Sequence, residues 1–346
     1  MPTLDSGVLT TFVKDIFVAY GVPEKKAQIV AWSLVLGNLK GHDSHGVIRV
    51  IEYVAWMEKG WIVPDAELEI LRQTESLLHI DGHFGFGQVI GREATALAIE
   101  KTKQNGVCVL SIRQSAHLGR IGEWAEMAAE EGLVCFSFTN THGGGVLVAP
   151  YGGRERRLSA NPLGAGAPLS DGGMLVMDFA TSTIAEGKMK VARAKGEAVP
   201  LGCFVNAKGE LGTDPEEYYA DPPGALLPFG GHKGYALSVF ADILAGALSG
   251  AGCSKGDPRV ANAMLAVFLD PKAFAGEEFF MQETEALVQR VKDCPTMQGV
   301  DEILMPGEPE ERTYQKRIET GISIEEATWT RIKSLALERS VSVPEV

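Results

Sequence analysis

The sequence lacks any run of lysine and arginine residues, and its formal net charge is −13 at pH 7. Surfaces that bind nucleic acid or anionic membranes need clustered positive charge, because they must neutralise phosphate groups. We therefore expect neither a nucleic-acid partner nor a membrane partner. An anionic ligand of this chain has to be bound by a few cations that are placed locally.

Closely spaced cysteines are also missing. The chain has five cysteines and no C-x-x-C pair: Cys108, Cys135, Cys203, Cys253 and Cys294. An odd number of distant cysteines favours reduced thiols over a disulfide framework, so we predict a cytoplasmic protein. Residues 1–20 carry Asp5, Lys14 and Asp15 among apolar side chains, and they lack the cationic start and apolar core of a signal peptide.

Three common site motifs are absent or imperfect. The seven histidines include no H-E-x-x-H pair, so we predict no metal site, and the Walker spacing G-x-x-x-x-G-K-[ST] is missing. Residues 85–91 read G-x-G-x-x-x-G, one residue longer than the strict dinucleotide fingerprint, and the next predicted strand ends at Arg113 instead of an acidic residue. We interpret these glycines as room for a helix to turn tightly against a sheet, with a Rossmann phosphate loop as the alternative.

The most apolar stretch, residues 235–251, does not read as a membrane span. Asp242 lies in its middle, and its length is modest for crossing a bilayer. Its small residues, including Gly246 and Gly250, favour close packing against other elements. We predict a buried helix.

What the sequence does contain is typical of a soluble globular protein. Its 346 residues, 45% of them apolar and 22% charged, allow two domains or one large core. Apolar spacing predicts that residues 4–60 are helical throughout. Further along, strands are predicted at 77–81, 107–112, 134–138, 174–182 and 263–269, and helices at 88–104, 123–131, 276–292, 310–320 and 324–338.

Residues 41–49 concentrate more acid–base and anion-binding chemistry than any other stretch. They read Gly-His-Asp-Ser-His-Gly-Val-Ile-Arg and lie between a helix predicted at residues 23–39 and another at 47–58. Unpaired N–H groups at a helix start, a guanidinium and an imidazole together suit a small anion. We hypothesise that a 2-oxo or 2-hydroxy carboxylate binds here. The alternative is a surface turn whose polar residues only cap a helix.

The geometry of this site depends on how the second helix begins. If Asp43 or Ser44 caps it, His45, Arg49 and Tyr53 occupy positions i, i+4 and i+8 and project from one face. An imidazole and a guanidinium then approach the same ligand.

Two later residues are further candidates. His117 lies where a predicted strand turns into a helix, among glycines that bring the backbone close to a ligand, although a structural histidine is the alternative. Asp178 ends an apolar strand, where a carboxylate could hold a water or orient a histidine. Burial would raise the pKa of Asp178 by desolvation. The alternative for Asp178 is an N-cap of the segment that follows.

Residues 196–228 are rich in glycine, proline and aspartate and predict a long surface loop or hairpin. Gly230, Gly231, His232 and Lys233 follow immediately before the apolar helix. Glycines at a helix start followed by a lysine suit a phosphate or a carboxylate.

Six motifs in order resemble the type-2 malate/L-lactate dehydrogenase family over nearly the whole chain. They are GHDSHG at 41–46, HLGR at 117–120, NPL at 161–163, DFATS at 178–182, HKGY at 232–235 and PGE at 306–308. That family includes ureidoglycolate, sulfolactate and diketogulonate dehydrogenases, and reductases of cyclic imines such as piperideine-2-carboxylate. Within it, the chain is most similar to the bacterial hydroxycarboxylate dehydrogenase B group.

The resemblance implies an α/β fold without a Rossmann domain. We expect a mixed, largely antiparallel sheet with flanking helices, plus a helical domain built from both chain ends. The helical domain is expected to comprise residues 1–72 with about 233–260 and 308–346. The nucleotide-binding domain is expected to comprise residues 73–232 with about 261–307.

The resemblance also implies the activity, an NAD(P)-dependent interconversion of a small 2-hydroxy acid and its 2-oxo acid, malate/lactate-like or aryl-lactate-like. His45 and His117 match family positions credited with proton transfer, and which of them is the principal base stays open. Arg49 matches the carboxylate-binding position, beside Ser44 and Tyr53. Asp178 is expected to tune a histidine or a water.

The family likeness extends to the cofactor, with NAD favoured over NADP. Residues expected along the nicotinamide nucleotide are Arg120, Thr139, Asn140, Met177, Asp178, Phe179, Ala180, Thr181, Ser182, His232, Lys233, Gly307 and Glu308. Recognition of a 2′-phosphate usually needs a nearby arginine. The possible arginines are Arg113, Arg120, Arg154, Arg156, Arg157 and Arg193.

Two alternatives remain beside this function. The same cleft would serve an NADPH-dependent reductase of cyclic imines, since piperideine- or pyrroline-2-carboxylate also presents a carboxylate beside the reacting carbon. A non-catalytic metabolite-binding protein is the other alternative. The family likeness further implies a homodimer with the active site near the subunit interface.

Overall fold

The computed structural model describes residues 1–345. The helices of this part of the chain are α1 (Ser6–Ala19), α2 (Glu24–Leu39), α3 (Arg49–Glu58), α4 (Gly87–Asn105), α5 (Gly122–Glu130), α6 (Glu186–Lys195), α7 (Pro215–Tyr218), α8 (His232–Ala241), α9 (Glu277–Lys292), α10 (Glu308–Thr320) and α11 (Glu326–Glu338). Its strands are β1 (Thr3–Leu4), β2 (Glu69–Gln73), β3 (Leu77–Asp81), β4 (Val107–Ser115), β5 (Val134–Gly143), β6 (Val146–Val148), β7 (Leu158–Ser159), β8 (Leu163–Pro168), β9 (Met174–Phe179), β10 (Phe204–Val205), β11 (Leu211–Gly212), β12 (Ala225–Leu226), β13 (Val260–Leu269) and β14 (Ile322–Ser323).

A seven-stranded sheet forms the centre of the fold, in the order β2-β3-β4-β13-β5-β8-β9. Only β3 and β4 pair in parallel, and every other neighbouring pair is antiparallel. A Rossmann domain needs a parallel sheet with helical crossovers. The predicted mixed, largely antiparallel sheet is therefore confirmed.

The direction of the strands collects several chain segments at one edge of this sheet. The carboxyl ends of β3, β4, β5 and β9 lie there, together with the amino ends of β8 and β13. Residues that follow those strands are consequently neighbours in space although they are distant in sequence. His117 follows β4 at this edge, and Asp178 lies near the end of β9.

The predicted helical layer is confirmed and is built from both chain ends. Leu9, Phe17 and Val30 of the first two helices share one hydrophobic core with Trp329 and Ile332 of α11. A separate core lies between α4, α5 and the sheet. The division of the chain into two domains stays a prediction.

The glycines of residues 85–91 serve packing. A Cβ atom on Gly87 would lie 2.2 Å from the carbonyl oxygen of His117, and one on Gly91 would lie 2.6 Å from the ring of Trp124. Both distances are below contact, so only glycine lets α4 approach the loop after β4 and the ring on α5. This agrees with the interpretation of the stretch as helix–sheet packing.

Two sequence predictions need correction. Residues 196–228 are more ordered than a loop or single hairpin, because β10, β11 and β12 join β6 and β7 in a second, five-stranded sheet. The apolar segment 235–251 is not a buried helix. It continues α8 into a π-helical turn at Asp242–Ala247 and leaves Phe240, Ile243 and Leu248 exposed by 57%, 46% and 66%.

None of the helices in residues 1–345 combines the length and the apolar character needed to cross a bilayer.

Candidate active site

The stretch that carries His45 folds as a short 3₁₀ turn, Asp43–His45, directly before α3. Arg49 Nε donates a hydrogen bond to the carbonyl oxygen of Ser44 at 2.7 Å, and Ser44 Oγ lies 3.0 Å from His45 Nδ1. The condition that Asp43 or Ser44 caps the second helix is not met, because α3 begins after Ile48 without a side-chain cap.

Asp43 instead holds the 3₁₀ turn against two other helices. Asn38 Nδ2 of α2 donates to Asp43 Oδ1 at 2.7 Å, while both terminal nitrogens of Arg317 on α10 donate to the two carboxylate oxygens at 2.6 and 3.0 Å. Asn38 also accepts a hydrogen bond from Val47 N at 2.8 Å. Gly46 is required here, since a Cβ atom on it would lie 2.2 Å from Asn38 Oδ1. The turn is therefore fixed on both sides of His45.

His117 meets His45 across this turn. The two imidazole rings are stacked with their centroids 5.5 Å apart and their planes inclined by 18°. Tyr53 of α3 places its hydroxyl 2.8 Å from His117 Nδ1, and Gln88 Nε2 of α4 donates to that hydroxyl at 2.7 Å. Three of the residues predicted at this site, His45, His117 and Tyr53, are thus brought together although 72 positions separate the two histidines in the sequence.

Electrostatics keep both histidines neutral in the absence of a ligand. Desolvation by burial, followed by the charge of Arg49, lowers the pKa of His45 from its ordinary value of 6.5 to about 3. The same causes, with His45 itself, hold the pKa of His117 well below 6.5. A neutral imidazole has a free lone pair on one of its ring nitrogens, which is the atom that can receive a substrate proton. The two rings are therefore in the base form where a hydroxy acid would meet them.

Asp178 and Arg120 meet at the start of α5, where both lie beside Gly122. Asp178 Oδ2 accepts a hydrogen bond from Gly122 N at 2.8 Å, so the carboxylate caps α5. Its alternative role as an N-cap of the segment that follows it is wrong. Burial raises the pKa of Asp178, as expected from desolvation. Arg120 is 2% exposed and pairs with Glu126, while its Nε and Nη1 atoms are buried without a partner among the described residues.

Most other residues predicted to bind the cofactor form a continuous strip along β9 and its neighbours. Val176 N, one residue before Met177, donates to the carbonyl oxygen of Pro306 at 3.0 Å, which brings Gly307 and Glu308 to this strand. Beyond Phe179 and Ala180, the backbone of Thr181 accepts from Phe229 N at 3.0 Å, and Ser182 bridges to Pro228. Those two contacts place the end of the strip beside the start of α8. His232 and Lys233 are exposed there.

Thr139 and Asn140 lie in the second half of β5, and their unpaired polar atoms show whether a nicotinamide could fit near this strand. Both are buried, and the hydroxyl of Thr139 and Oδ1 of Asn140 have no partner among the described residues. Asn140 Nδ2 is fixed by Asp242 Oδ1 at 3.1 Å. Buried polar atoms without partners are costly, so a bound group is expected to satisfy them. Because successive strand residues point to opposite faces of the sheet, one bound group meets only one of these two atoms, and a carboxamide, which both donates and accepts, fits either of them.

Sequence reasoning missed four buried polar residues at this edge. Gln88 contacts Tyr53, Asn161 and Asp242 bind each other through Nδ2 and Oδ2 at 3.2 Å, and Asn262 Oδ1 accepts from Leu118 N at 2.9 Å. Asp242 in an apolar run was the single available signal, since a buried carboxylate needs partners. Nothing in the local pattern around the other three indicates contacts that span 35 or more positions.

Comparison with known proteins is consistent along the whole chain. The family model described as malate/L-lactate dehydrogenase matches residues 4–333. The chain is 40% identical over 336 residues to the L-lactate dehydrogenase of Cupriavidus necator, covering 96% of each protein, and 36% identical over 347 residues to hydroxycarboxylate dehydrogenase B of Escherichia coli K12, covering 99% of this chain and 95% of that one. The solved structure of delta1-piperideine-2-carboxylate reductase from Pseudomonas syringae pvar. tomato is similar with a TM-score of 0.86 and 30% identity, over 97% of this chain and 100% of that one.

Proposed function

Because the chain belongs to the malate/L-lactate dehydrogenase family, we propose that His117 is its principal acid–base residue and that Arg49 binds the substrate carboxylate. The protein is an oxidoreductase that acts on the CH–OH group of a small 2-hydroxy acid and interconverts it with the 2-oxo acid, using a nicotinamide cofactor. The contact between Tyr53 and His117 Nδ1, at 2.8 Å, is the observation that carries the choice of histidine. It holds one ring nitrogen so that the other is left for the substrate.

In the oxidation of a hydroxy acid, the hydroxyl proton moves to Nε2 of His117. A bound nicotinamide would supply the hydride acceptor for the carbon that carries the hydroxyl group, so the product is the 2-oxo acid. His117 begins the reaction neutral because burial and Arg49 lower its pKa. In the reverse direction the imidazolium returns its proton to the carbonyl oxygen.

Arg49 and Ser44 bind and orient the carboxylate. The guanidinium is already held by the Ser44 carbonyl through Nε, so a substrate meets a cation of fixed position. His45 stacks on His117 and excludes water from one of its faces, and it is the second candidate for the base. Asp178 holds the start of α5 through its hydrogen bond from Gly122 N.

The cofactor would be held by the strip along β9 and by Thr139, Asn140 and Arg120. Unpartnered buried polar atoms on these three residues support this assignment. Lys233 would add positive charge at one end of the strip, where His232 and the N-terminus of α8 would add hydrogen-bond donors. Gly307 and Glu308 lie beside Val176 at the other end, where Glu308 pairs with Lys292.

NAD is favoured over NADP, because most of the arginines that could bind a 2′-phosphate are already engaged. Arg113, Arg120, Arg157 and Arg193 pair with carboxylates. Arg156 Nε donates to the carbonyl oxygen of Gly224 at 2.7 Å. The expected result is a higher kcat/KM with NAD⁺ than with NADP⁺. The opposite preference would contradict the assignment.

The decisive experiment replaces each histidine by asparagine and measures kcat with a hydroxy acid and with a 2-oxo acid. A positioned acid–base group contributes roughly 10²- to 10⁴-fold, so His117→Asn is expected to lower kcat by about that factor. His45→Asn is expected to have the smaller effect. His83→Asn, an exposed histidine whose left-handed φ of 46° asparagine tolerates, is the matched control. Unchanged turnover in His117→Asn would exclude it as the base.

Reduction of a cyclic imine is a second candidate function. It is favoured by the 0.86 TM-score to the structure of delta1-piperideine-2-carboxylate reductase. Pyruvate, oxaloacetate, phenylpyruvate and piperideine-2-carboxylate, assayed in parallel by oxidation of NADH and NADPH, separate the candidates. Faster turnover of the imine than of every oxo acid would replace the first proposal by the second.

The protein is further proposed to work as a cytoplasmic homodimer with its active site near the subunit interface. All five cysteines are free, which fits a reducing compartment. Phe240, Ile243 and Leu248 are exposed on one helical segment, and apolar side chains grouped in this way are typical of a protein interface.

A further inference from the structure

We propose that Gln88 acts through Tyr53 as a positioning residue that selects which ring nitrogen of His117 carries the proton. The inference rests on the proposed acid–base role of His117, which it deepens. It assigns a role to Gln88, a residue outside the substrate and cofactor contacts considered above.

The three side chains form a buried row of hydrogen bonds that joins two helices to the loop after β4. Gln88 and Tyr53 are 0% and 1% exposed. The Tyr53 hydroxyl lies 2.7 Å from Gln88 Nε2 and 2.8 Å from His117 Nδ1. Water is excluded from Gln88 and Tyr53, so the hydrogen bonds of these two side chains must be made within the row.

Tyr53 has one hydroxyl proton to donate, so its hydrogen bond with Gln88 determines the direction of its hydrogen bond with His117. When Gln88 presents its N–H₂ group, the tyrosine oxygen accepts that bond and donates its proton to Nδ1 of His117. The neutral histidine then carries its proton on Nε2. When Gln88 presents its carbonyl oxygen, the tyrosine donates to Gln88 and accepts from Nδ1–H of His117. Nε2 is then a free lone pair.

Only the second arrangement suits oxidation of the hydroxy acid, so the amide has to turn from the orientation in the structure, with Nε2 toward Tyr53, before His117 acts as the base. A base that takes the substrate hydroxyl proton at Nε2 must carry its resting proton on Nδ1, and the imidazolium that follows keeps that proton. The orientation of the Gln88 amide therefore decides whether His117 is ready to act. Burial raises the pKa of Tyr53, so the phenol keeps its proton throughout.

The surroundings of Gln88 leave both amide orientations open. With Nε2 toward Tyr53, the Oε1 atom of Gln88 is buried without a partner among the described residues. Turning the amide would give Oε1 a partner and leave Nε2 without one, at a similar cost in free energy. Gly119 packs against this group, since a Cβ atom on it would lie 3.0 Å from Nε2. The charged and titratable groups that face His117 are Arg49 and Tyr53 on α3 and His45 on the 3₁₀ turn.

The test compares Gln88→Leu and Gln88→Glu with the parent protein, using ¹⁵N-labelled histidine and multiple-bond ¹H–¹⁵N correlation spectra at pH 8. Leucine removes the acceptor, so Tyr53 donates to Nδ1 and His117 is expected to carry its proton on Nε2. The ionised carboxylate of the Gln88→Glu variant accepts only, so in that variant His117 is expected to carry its proton on Nδ1. The same protonated nitrogen in both variants would overturn the proposal.

Steady-state kinetics provide a second measurement, whose expected pattern a mere loss of packing would not reproduce. Groups that orient a catalytic histidine are worth up to about 10⁴-fold in kcat, and for this neutral relay we expect roughly 10- to 100-fold in Gln88→Leu with KM nearly unchanged. Gln88→Glu is expected to retain turnover and to shift the acid limb of the kcat/KM profile to higher pH. Gln104→Leu, an exposed glutamine of the same helix, is the control.

A double-mutant cycle completes the test. Once Tyr53→Phe removes the relay, adding Gln88→Leu is expected to change kcat no further, whereas independent structural effects would multiply. Losses in kcat that multiply when the two substitutions are combined would overturn the proposal. Normal turnover in His117→Asn would instead reject His117 as the base, while the ¹⁵N spectra would still report how Gln88 controls its tautomer. The two failures are therefore distinguishable.

Discussion

Arg49 is positioned by the protein itself. Its Nε atom donates to the Ser44 carbonyl at 2.7 Å, and Nη1 pairs with Glu52. Nη2 makes no hydrogen bond with a residue of the described part of the chain. A guanidinium held at one end can meet a carboxylate at the other without losing further side-chain entropy.

Arg49→Lys is expected to raise KM for the 2-oxo acid. Lysine cannot hold the Ser44 carbonyl and the substrate carboxylate together, and a hydrogen bond to a charged group contributes about 1.5–3 kcal/mol, roughly 10- to 150-fold in affinity. Steady-state kinetics measure the change. Arg72→Lys, on the exposed strand β2, is the control. An unchanged KM would show that the carboxylate binds elsewhere.

The lowered pKa values of His45 and His117 predict how stability depends on pH. Below pH 6.5 the unfolded chain takes up protons on these residues while the native protein does not, so the free energy of unfolding falls as the pH falls. The slope is at most about 1.4 kcal/mol per pH unit for each histidine. Above pH 6.5 both states are neutral and the contribution is constant.

Urea unfolding between pH 5 and 8 tests this on the double variant His45→Asn/His117→Asn. The variant is expected to lose less stability than the parent between pH 6.5 and 5. Asp178 acts in the opposite direction, since its raised pKa favours the native state in acid, but it is present in both proteins and cancels in the difference. Parallel curves for parent and variant would contradict the assigned pKa directions.

At the scale of elements, α10 reaches the histidine turn from the far end of the sequence. Arg317 binds both carboxylate oxygens of Asp43, Glu310 lies 3.7 Å from His42 Nε2, and Glu311 accepts from Lys40 at 2.8 Å. The position of His45 therefore depends on a helix more than 260 residues away.

Arg317→Ala is expected to lower kcat more than it lowers stability. The ion pair is partly exposed, so its loss costs only about 1 kcal/mol of unfolding free energy. The turn that carries His45 would, however, lose its contact with α10 and be held by α2 alone. Turnover and thermal unfolding measured together separate the effects. Lys316→Ala, on the exposed face of the same helix, is the control, and equal kcat values in both variants would contradict the role of α10.

Local sequence patterns predicted helices and strands well where the spacing of apolar side chains alone determines the element. The helix expected at residues 88–104 is α4, Gly87–Asn105, and the strand expected at 77–81 is β3. The apolar segment 235–251 was predicted less well. Asp242 begins a π-helical turn and binds Asn140 on β5 and Asn161 in the loop between β7 and β8. Helical periodicity carries no information about them.

At the scale of the whole molecule, Phe240→Lys is expected to convert the proposed dimer into a monomer. Burying a charge in an apolar interface is unfavourable, and this ring is 57% exposed in the single chain. Light scattering after size-exclusion chromatography measures the mass. Leu201→Lys, exposed by 67% elsewhere on the surface, is the control. A dimer that persists in Phe240→Lys would place the interface on another face.

The sequence by itself determined the family, the sheet class and most of the candidate residues, because six short motifs and local periodicity are properties of adjacent residues. Tertiary structure alone decided how those residues act. It stacked His45 on His117, turned Asp178 into the cap of α5, and placed Gln88 behind Tyr53. Each of these contacts joins segments that are distant in the sequence and meet only when the helices pack against the sheet, and no spacing along the chain encodes that meeting.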